Sequence, residues 1–410
     1  MSTRDLQTTG LLKETMARYF EGLGTCERDG RKVAWCTSVG PAELLRSFGF
    51  EVYFPENHGA LLGATRTAGD SISTAVKQGY ASDICSYLTS DIGAFLENRT
   101  PLQKHYGLHH VPLPDLLVYN TNQCREVQEW FHFYARRLKV PIVGVTPPRH
   151  LDEVTSADVD NVVAQFKAMI PICEEVSGAT FNIDAFGQRV RMSSEAALLW
   201  RRVLETAKNR PAPMSFFDGC IHMGPIVVMR GTQEAVDYYG LLLAELESRI
   251  AEGVGAVESE GSRIYWDGMP IWGKLRSLSD LFNRKRASAI ASTYCSSWIF
   301  DSMDDRHPFE STALAYTRIF INRSERAKET MLEGLIDEFG IDGVIFHDAR
   351  TCFNNSNARF GMPARIRNRT GVPTLVIEGD LCDLRFFSEG QTTTKIEAFI
   401  EQLVEYSHSL

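Results

Sequence analysis

Two distant stretches of the sequence share one layout: a short apolar run, a polar loop that contains a cysteine, and then a helical pattern. The first has the predicted strand 115–119, apolar after Asp115, before Cys124, and the second has the apolar run 343–346 before Cys352. Apolar runs of this length between helical patterns are typical of strands buried in a parallel sheet. Such sheets place ligands and catalytic groups beyond the carboxyl ends of their strands. The matched cysteines therefore indicate two similar α/β units with chemistry at their strand ends.

The remaining pattern predicts the fold class. Residues 33–36 and 51–54 are predicted strands on either side of a helix that Pro41 begins, which implies a parallel sheet with a right-handed crossover. The last third of the chain repeats this plan, whereas helical patterns dominate the middle. We predict an α/β protein with two Rossmann-like parallel-sheet lobes and a helical insertion between them. The predicted parts are a first lobe at 1–151, a helical domain at 152–255 and a second lobe at 256–410.

Two local predictions concern segments that contain further cysteines. Residues 71–97 are predicted to be mainly helical, with Asp83 as the cap and Cys85 in the first turn. Residues 216–225 (FFDGCIHMGP) are predicted to be a turn-rich interruption of the helical domain that forms the wall of a pocket.

Composition limits the classes of protein that this chain can be. A formal charge of −9 and a pI near 5.7 argue against a nucleic-acid-binding protein, which needs a basic face. No apolar run is long enough to cross a bilayer, and the N-terminal residues lack the apolar core of a secretory signal. We therefore expect a cytoplasmic protein. Nine cysteines, an odd number in a long chain, argue against a disulfide framework.

Three cysteines stand at predicted element boundaries, namely Cys85, Cys124 and Cys352. They are too far apart in sequence for a zinc ribbon, but thiolates that converge from several strand ends can hold an iron–sulfur cluster. Three ligands would leave one iron open for catalysis. The residues alone leave two other classes open. One is a cysteine hydrolase with His58 or His347 as base, and the other is a two-lobed binding protein without catalysis. No Gly-x-Gly-x-x-Gly follows either first strand, which argues against a dinucleotide site.

Seven segments together carry a resemblance to a known family. In their order and spacing they resemble the large subunits of the benzoyl-CoA reductase / 2-hydroxyacyl-CoA dehydratase family, over nearly the whole chain. The segments are WCTSVGPAELL, YFPENHGA, GYASDICSYLTSDIG, NTNQCREVQEWFHFYARRLKVPI, YWDGMPIWGKLR, FHDARTCFNNSNARFGMP and GVPTLVIEGDLCDLRFFSEGQTTTKIEAFIEQL.

The resemblance implies a cofactor and a set of site residues. Cys85, Cys124 and Cys352 fall on the positions that bind a [4Fe–4S] cluster in the family. Ser38 and Glu56 fall on active-site positions beside the substrate. An open iron would polarise the thioester carbonyl as a Lewis acid, and Glu56 would transfer a proton.

The resemblance also implies partners and a reaction. Family members pair two homologous large subunits, and a separate ATP-hydrolysing iron–sulfur activator injects single electrons at low potential. The substrate is an acyl-CoA or aryl-CoA thioester, which becomes a ketyl-type radical anion. In one branch this step leads to reduction of the aromatic ring of benzoyl-CoA, and in the other to loss of a hydroxyl group.

Departures from the dehydratase pattern favour the aryl-CoA reductase branch, with the 2-hydroxyacyl-CoA dehydratase as the alternative. The departures are at residues 121–124, 349–352 and 266–272, and the last of these lacks a cysteine that other versions carry. Cys36, close to the cluster position, keeps open a third option, a relative with a double-cubane cluster that reduces small molecules.

Substrate binding is expected to involve His58 and Arg350. The phosphates of CoA need cationic partners, and Arg350 follows the predicted strand that precedes Cys352. Arg359 and Arg365 are further candidates for the same role.

Overall fold

Two four-stranded, all-parallel sheets form the framework of the protein in a computed structural model, which describes residues 6–407. Their strand orders are β2-β1-β3-β4 and β6-β5-β7-β8. This arrangement confirms the predicted α/β class with two Rossmann-like lobes. The strands of the first sheet are β1 (Val33–Cys36), β2 (Glu51–Tyr53), β3 (Leu116–Asn120) and β4 (Ile142–Val145). Those of the second are β5 (Arg263–Asp267), β6 (Ser288–Ser292), β7 (Gly343–Ala349) and β8 (Thr374–Gly379).

Helices cover both sheets and fill the sequence between them. The first lobe has α1 (Thr8–Gly24), α2 (Cys26–Asp29), α3 (Ala42–Ser47), α4 (Pro55–Ala64), α5 (Ala68–Lys77), α6 (Ser86–Leu96), α7 (Leu102–Tyr106) and α8 (Glu126–Leu138). The insertion has α9 (Ser156–Ala168), α10 (Ile170–Ser177), α11 (Ile183–Glu205), α12 (Phe216–His222), α13 (Gly224–Val228) and α14 (Gln233–Ala251). The second lobe has α15 (Leu275–Arg284), α16 (Thr293–Ser296), α17 (Pro308–Thr317), α18 (Glu325–Phe339), α19 (Met362–Thr370) and α20 (Glu389–Ser407).

Six short 3-10 helices complete the regular structure of the described residues, and two of them follow Cys352. They are Thr206–Lys208, Trp272–Lys274, Phe320–Asn322, Phe353–Asn355, Asn357–Phe360 and Leu384–Phe386. Within residues 6–407, no helix has both the length and the apolar composition that crossing a bilayer requires.

The strand order creates a crevice at one edge of each sheet. In the first sheet β1 pairs with β2 on one side and with β3 on the other, and in the second sheet β5 pairs with β6 and β7 in the same way. The connections leave the two central strands toward opposite faces of the sheet. The loops after β1 and β3, and those after β5 and β7, therefore border a space open to ligands.

The larger of two hydrophobic clusters in the described chain includes residues from all three predicted parts, and the smaller one lies in and around the second sheet. The largest buried rings of the larger cluster include Trp35 in β1, Trp130 in α8, Trp200 in α11 and Trp266 in β5. Because this cluster is shared, the predicted boundaries at 151/152 and 255/256 stay predictions.

Two local predictions are wrong. Residues 216–225 are not a turn but α12 followed by the start of α13, because Ser215 and Asp218 form a capping box that begins α12. Helix α6 begins at Ser86 and not before it, so Cys85 is the residue that precedes the helix and not part of its first turn. Asp83 lies in the turn before the helix and does not cap it.

Close packing of α5 on α6 generates a stability prediction. A Cβ on Gly93 would lie 1.8 Å from the carbonyl oxygen of Ser71, whereas a Cβ on Gly240 in α14 would meet no atom within 4 Å. Gly93→Ala should lower the free energy of unfolding by at least about 2 kcal/mol, because the helices must separate. Gly240→Ala should raise it by roughly 0.5–1 kcal/mol. Urea unfolding measures both, and equal responses would contradict the assigned helix contact.

Candidate active site

The loops that carry the three predicted cysteine ligands meet where the two lobes contact each other. Ser38 follows β1, Cys124 follows β3 and Cys352 follows β7, so all three lie beyond the carboxyl ends of central strands. Cys85 belongs to the first lobe and lies directly before α6. These loops are therefore at the edges of the two sheets where parallel α/β folds place their ligands.

A hydrogen-bond chain joins the Cys85 loop to the Cys352 loop. The backbone N–H of Ser86 donates to Oγ1 of Thr351 at 3.0 Å, although the two residues are 265 positions apart. The N–H and the hydroxyl of Thr351 in turn donate to Oδ2 of Asp380, at 2.8 and 2.7 Å. Thr351 and Asp380 are buried. Sequence reasoning missed both residues, because only the folded chain places them beside α6.

A second connection joins the Cys124 loop to the Cys352 loop through Arg149. Its guanidinium donates to the backbone oxygens of Thr121 and Gln123, at 3.2 and 3.1 Å. The same group donates to Oδ1 of Asn354 at 3.3 Å. Arg149 was also missed from the sequence, where the run Pro-Pro-Arg-His reads as an ordinary loop. All three cysteine loops are thus tied together across the two lobes.

The three thiols influence one another electrostatically. Burial raises the pKa of each one, and a neighbouring thiol adds to the rise: Cys352 acts on Cys85, Cys85 on Cys124 and Cys124 on Cys352. Glu126, at the start of α8, raises all three pKa values further. Each of the three thiols therefore feels the charge of another one, as expected of groups that lie on neighbouring loops.

Backbone N–H groups act in the opposite direction on each thiol. Those of Leu88 and Tyr87 lower the pKa of Cys85, although neither forms a capping hydrogen bond with it. The N–H of Val127 lowers the pKa of Cys124, and that of Asn355 lowers the pKa of Cys352. Peptide N–H groups beside cysteine sulfur are among the features that stabilise the thiolates of iron–sulfur sites.

The donor set fits a cluster better than a single ion. Within residues 6–405, no three histidine, cysteine, aspartate or glutamate side chains are grouped closely enough to bind one metal ion. Three cysteines on loops that hydrogen bonds join together are instead the kind of ligand that iron–sulfur clusters take. Cys85, Cys124 and Cys352 are each half-buried, whereas the other six cysteines are buried.

Ser38 and Glu56 form a direct pair near the Cys124 loop. The backbone N–H of Ser38 donates to Oε2 of Glu56, and both residues are buried. Burial raises the pKa of Glu56 to about 7, while bonds from Ser38 and the charge of Arg230 partly oppose the rise. Glu56 also raises the pKa of Cys124, so its carboxyl lies near the cysteine loops. A carboxyl with a pKa near neutrality is suited to both giving and taking a proton.

The backbone of the Ser38 loop is fixed from several sides. Oγ1 of Thr37 accepts the N–H of Asn120 at 3.0 Å, and Asn122 Nδ2 donates to the oxygen of Val39 at 3.0 Å. Nη2 of Arg230 donates to the oxygen of Gly40 at 3.2 Å. Neighbouring strand-end loops and the helical insertion therefore hold Ser38 in place.

His58 lies in α4 and forms its hydrogen bonds within the first lobe. Its Nδ1 is 2.6 Å from Oδ1 of Asp91, and its Nε2 is 2.9 Å from Oγ1 of Thr100. Asp91 also accepts hydrogen bonds from Trp130 and Tyr134. In this arrangement His58 orients a buried network, and a direct role in substrate binding stays a prediction.

The predicted arginines differ in what they contact. Arg350 is exposed and borders the Cys352 loop. Arg359 forms an ion pair with Asp348 at 2.5 Å, and Arg365 forms one with Glu329 at 2.6 Å. Arg359 and Arg365 would have to give up an ion pair to bind a phosphate. Arg350 would not, because it forms no ion pair with another described residue.

The imidazoles named for the hydrolase alternative are bonded to other groups. His347 is buried and its Nδ1 is 2.6 Å from the oxygen of Met269. No hydrogen bond among residues 6–405 joins His58 or His347 to a cysteine. Cys36 is fully buried at the end of β1, where a Cβ on Gly40 would lie 2.6 Å from its sulfur.

The raised pKa of Glu56 predicts a pH-dependent stability. The pKa rises from 4.5 to about 7 on folding, so its contribution is fully present below pH 4.5 and is lost as the pH rises through 7. Relative to Glu56→Gln, which cannot ionise, wild type should lose roughly 3 kcal/mol of unfolding free energy across this range. Anaerobic urea unfolding of the cluster-free proteins at a series of pH values measures the difference. A difference that does not change with pH would contradict a strongly shifted carboxyl.

Comparison with known proteins identifies the family of the chain. The sequence model of the family described as "2-hydroxyglutaryl-CoA dehydratase, D-component" matches residues 37–403. The chain is 32% identical to a subunit of the benzoyl-CoA reductase of Thauera aromatica, over 97% of this chain and 94% of the relative. It is 29% identical to the (R)-2-hydroxyisocaproyl-CoA dehydratase alpha subunit of Clostridioides difficile, over 96% of each chain. It is 28% identical to the (R)-phenyllactyl-CoA dehydratase alpha subunit of Clostridium sporogenes, over 92% of this chain and 90% of the relative. The chain therefore belongs to the 2-hydroxyglutaryl-CoA dehydratase D-component family, together with subunits of benzoyl-CoA reductases and 2-hydroxyacyl-CoA dehydratases.

Proposed function

We propose that this chain is the iron–sulfur subunit of an ATP-dependent, low-potential one-electron system that acts on a CoA thioester. Its reaction is the reductive dearomatisation of benzoyl-CoA or a related aryl-CoA. The observation that carries the proposal is the meeting of three cysteine loops from two lobes, joined by Thr351 and Arg149, beside the Ser38–Glu56 pair.

Cys85, Cys124 and Cys352 are the proposed ligands of a [4Fe–4S] cluster. When bound, the cluster supplies single electrons at low potential and one iron without a protein ligand that acts as a Lewis acid. The protein supplies the thiolates and the N–H groups that stabilise them, and it buries them enough to limit contact with water.

Ser38 and Glu56 are the proposed catalytic residues. The hydroxyl of Ser38 hydrogen-bonds the thioester carbonyl region, and the fixed backbone of residues 37–40 keeps that donor in place. Glu56 is partly protonated near neutral pH, so it delivers a proton to the substrate after the electron has arrived. Arg350 is the proposed partner of a CoA phosphate. His58 is the second proposed substrate-binding residue.

Partners and location follow the same reasoning. The relatives are named as subunits, which supports a complex with a second homologous large subunit. An ATP-hydrolysing iron–sulfur activator is the proposed electron donor. All nine cysteines are unpaired as thiols, as expected in the reducing cytoplasm, where we place the protein.

A 2-hydroxyacyl-CoA dehydratase is the second candidate. The matching family model and several relatives carry dehydratase names, whereas the relative with 32% identity is part of a benzoyl-CoA reductase. In the dehydratase reaction the same Glu56 carboxyl would protonate the leaving hydroxyl group.

Removal of one proposed ligand tests the cluster directly. Cys124→Ala should lose most of the iron and sulfide that wild type holds after anaerobic reconstitution, because one of three protein ligands is missing. Cys173→Ala is the matched control, since Cys173 is fully buried in α10 and should cost only packing, about 1 kcal/mol, with iron content unchanged. Metal and sulfide analysis with absorption spectra measures both. Equal iron in the two variants would refute Cys124 as a ligand.

The two candidate reactions give different products. With its partner subunit, activator, ATP and a reductant, the wild-type complex should convert benzoyl-CoA to a dienoyl-CoA. Chromatography with mass detection of the CoA esters measures this product. Conversion of a 2-hydroxyacyl-CoA to its enoyl-CoA, with benzoyl-CoA left intact, would assign the dehydratase instead.

A further inference from the structure

Arg149 bridges two lobes at the point where two proposed ligand loops approach each other. In this bridge its half-buried guanidinium donates only to neutral oxygens, those of Thr121, Gln123 and Asn354. Gln123 directly precedes Cys124, and Asn354 lies two residues after Cys352. One rigid group thus contacts residues within two positions of two cysteines that are far apart in sequence.

The guanidinium is well suited to fix a distance. It is planar and presents its N–H donors in a rigid fork, unlike the single flexible ammonium of lysine. Nη1 bonds the first lobe, and Nη2 bonds both lobes at 3.1 and 3.3 Å. A change in the separation of the two loops would therefore break at least one of these bonds.

We propose that Arg149 is a positioning residue that holds the Cys124 and Cys352 loops at the separation needed by the iron–sulfur cluster and keeps a positive charge beside it. This inference rests on the proposed function, because the cluster is part of that proposal. It adds a residue that touches neither substrate nor reacting atoms.

Two further observations support a role toward a bound group. The Nε–H of Arg149 is buried and has no hydrogen-bond acceptor among residues 6–405, so a donor is left over beside the loops. A buried N–H group without an acceptor lowers the stability of the fold. A sulfur atom of a bound cluster would accept the hydrogen bond of this N–H group. A second basic residue lies near this loop, because Nζ of Lys328 donates at 3.2 Å to Oδ1 of Asn357, five residues after Cys352.

The charge and the fork of Arg149 have separable consequences. One-electron reduction adds a negative charge to the cluster, so a nearby cation stabilises the reduced form and raises the reduction potential. The fork sets the loop separation and therefore how firmly the cluster is retained. Lysine keeps the charge without the fork, and methionine keeps neither.

The experiment compares Arg149→Lys and Arg149→Met with a matched control, Arg323→Met. Arg323 is also half-buried, and it donates to the backbone oxygens of Leu151 and Asp152 and to no residue next to a proposed ligand. Each full-length protein is reconstituted anaerobically. Release of iron to a chelator and a spectroscopic redox titration with titanium(III) citrate are then measured.

Both Arg149 variants should release iron at least about fivefold faster than wild type, whereas Arg323→Met should match wild type. Only Arg149→Met should have a lower reduction potential, because Arg149→Lys keeps the charge. An Arg149→Met protein that takes up no cluster, beside a control that does, also supports the proposal. Iron release and potential equal to those of Arg323→Met would overturn it.

A measurement without the cluster separates this inference from the proposed function. In cluster-free protein, a bifunctional thiol reagent should join Cys124 to Cys352 more slowly in Arg149→Met than in wild type or Arg323→Met, as quantified by peptide mass spectrometry. If wild type binds no iron, the proposed function fails, and this rate still decides whether Arg149 sets the loop separation. Equal cross-linking rates in all three proteins would overturn the positioning role.

Discussion

Thr351 supplies the bond on which the two halves of the site depend. Its hydroxyl oxygen accepts a hydrogen bond from the backbone N–H of Ser86, the first residue of α6, in the first lobe. The same hydroxyl donates a hydrogen bond to Asp380 in the second lobe. Asp380 is fully buried, yet its carboxylate also accepts the N–H groups of Thr351, Cys382 and Asp383. These hydrogen bonds hold the carboxyl group in one orientation. The link between the two lobes is therefore rigid.

A buried ion pair supports the Ser38 loop. Arg230 and Glu43 are both fully buried, 3.4 Å apart, and Glu43 also accepts hydroxyl bonds from Ser193 and Tyr316. Burial of two charges is costly unless their remaining bonds are satisfied, and here they are shared among the first lobe, the insertion and the second lobe. The same guanidinium bonds Gly40 and opposes the upward shift of the Glu56 pKa. The position of Ser38 and the protonation of Glu56 thus depend on one cation.

The sequence predicted the elements well where burial and local signals agreed. The strand at 33–36 has the predicted bounds. Its four residues are apolar and buried, as expected of a parallel strand whose sheet is covered on both faces. Strand β7 continues through His347 and Asp348 to Ala349, beyond the predicted end, since pairing with β8 extends the ladder past the apolar run. The segment 216–225 was misassigned because its glycine and proline obscured the capping box at Ser215. Arg149 and Asp380 act through contacts between loops that local patterns do not connect, so no inspection of a single sequence identifies them.

The division of the cysteine loops between the lobes has a consequence for biogenesis. A nascent chain that has folded only its first sheet carries the Cys85 and Cys124 loops, but their counterpart Cys352, with Thr351 and Asn354, lies near the other end of the sequence. The proposed cofactor pocket is therefore complete only once β7 has joined the second sheet. Insertion of the proposed cluster would thus have to wait for the second sheet to fold, and a chain that stops before β7 would lack one of the three proposed ligands.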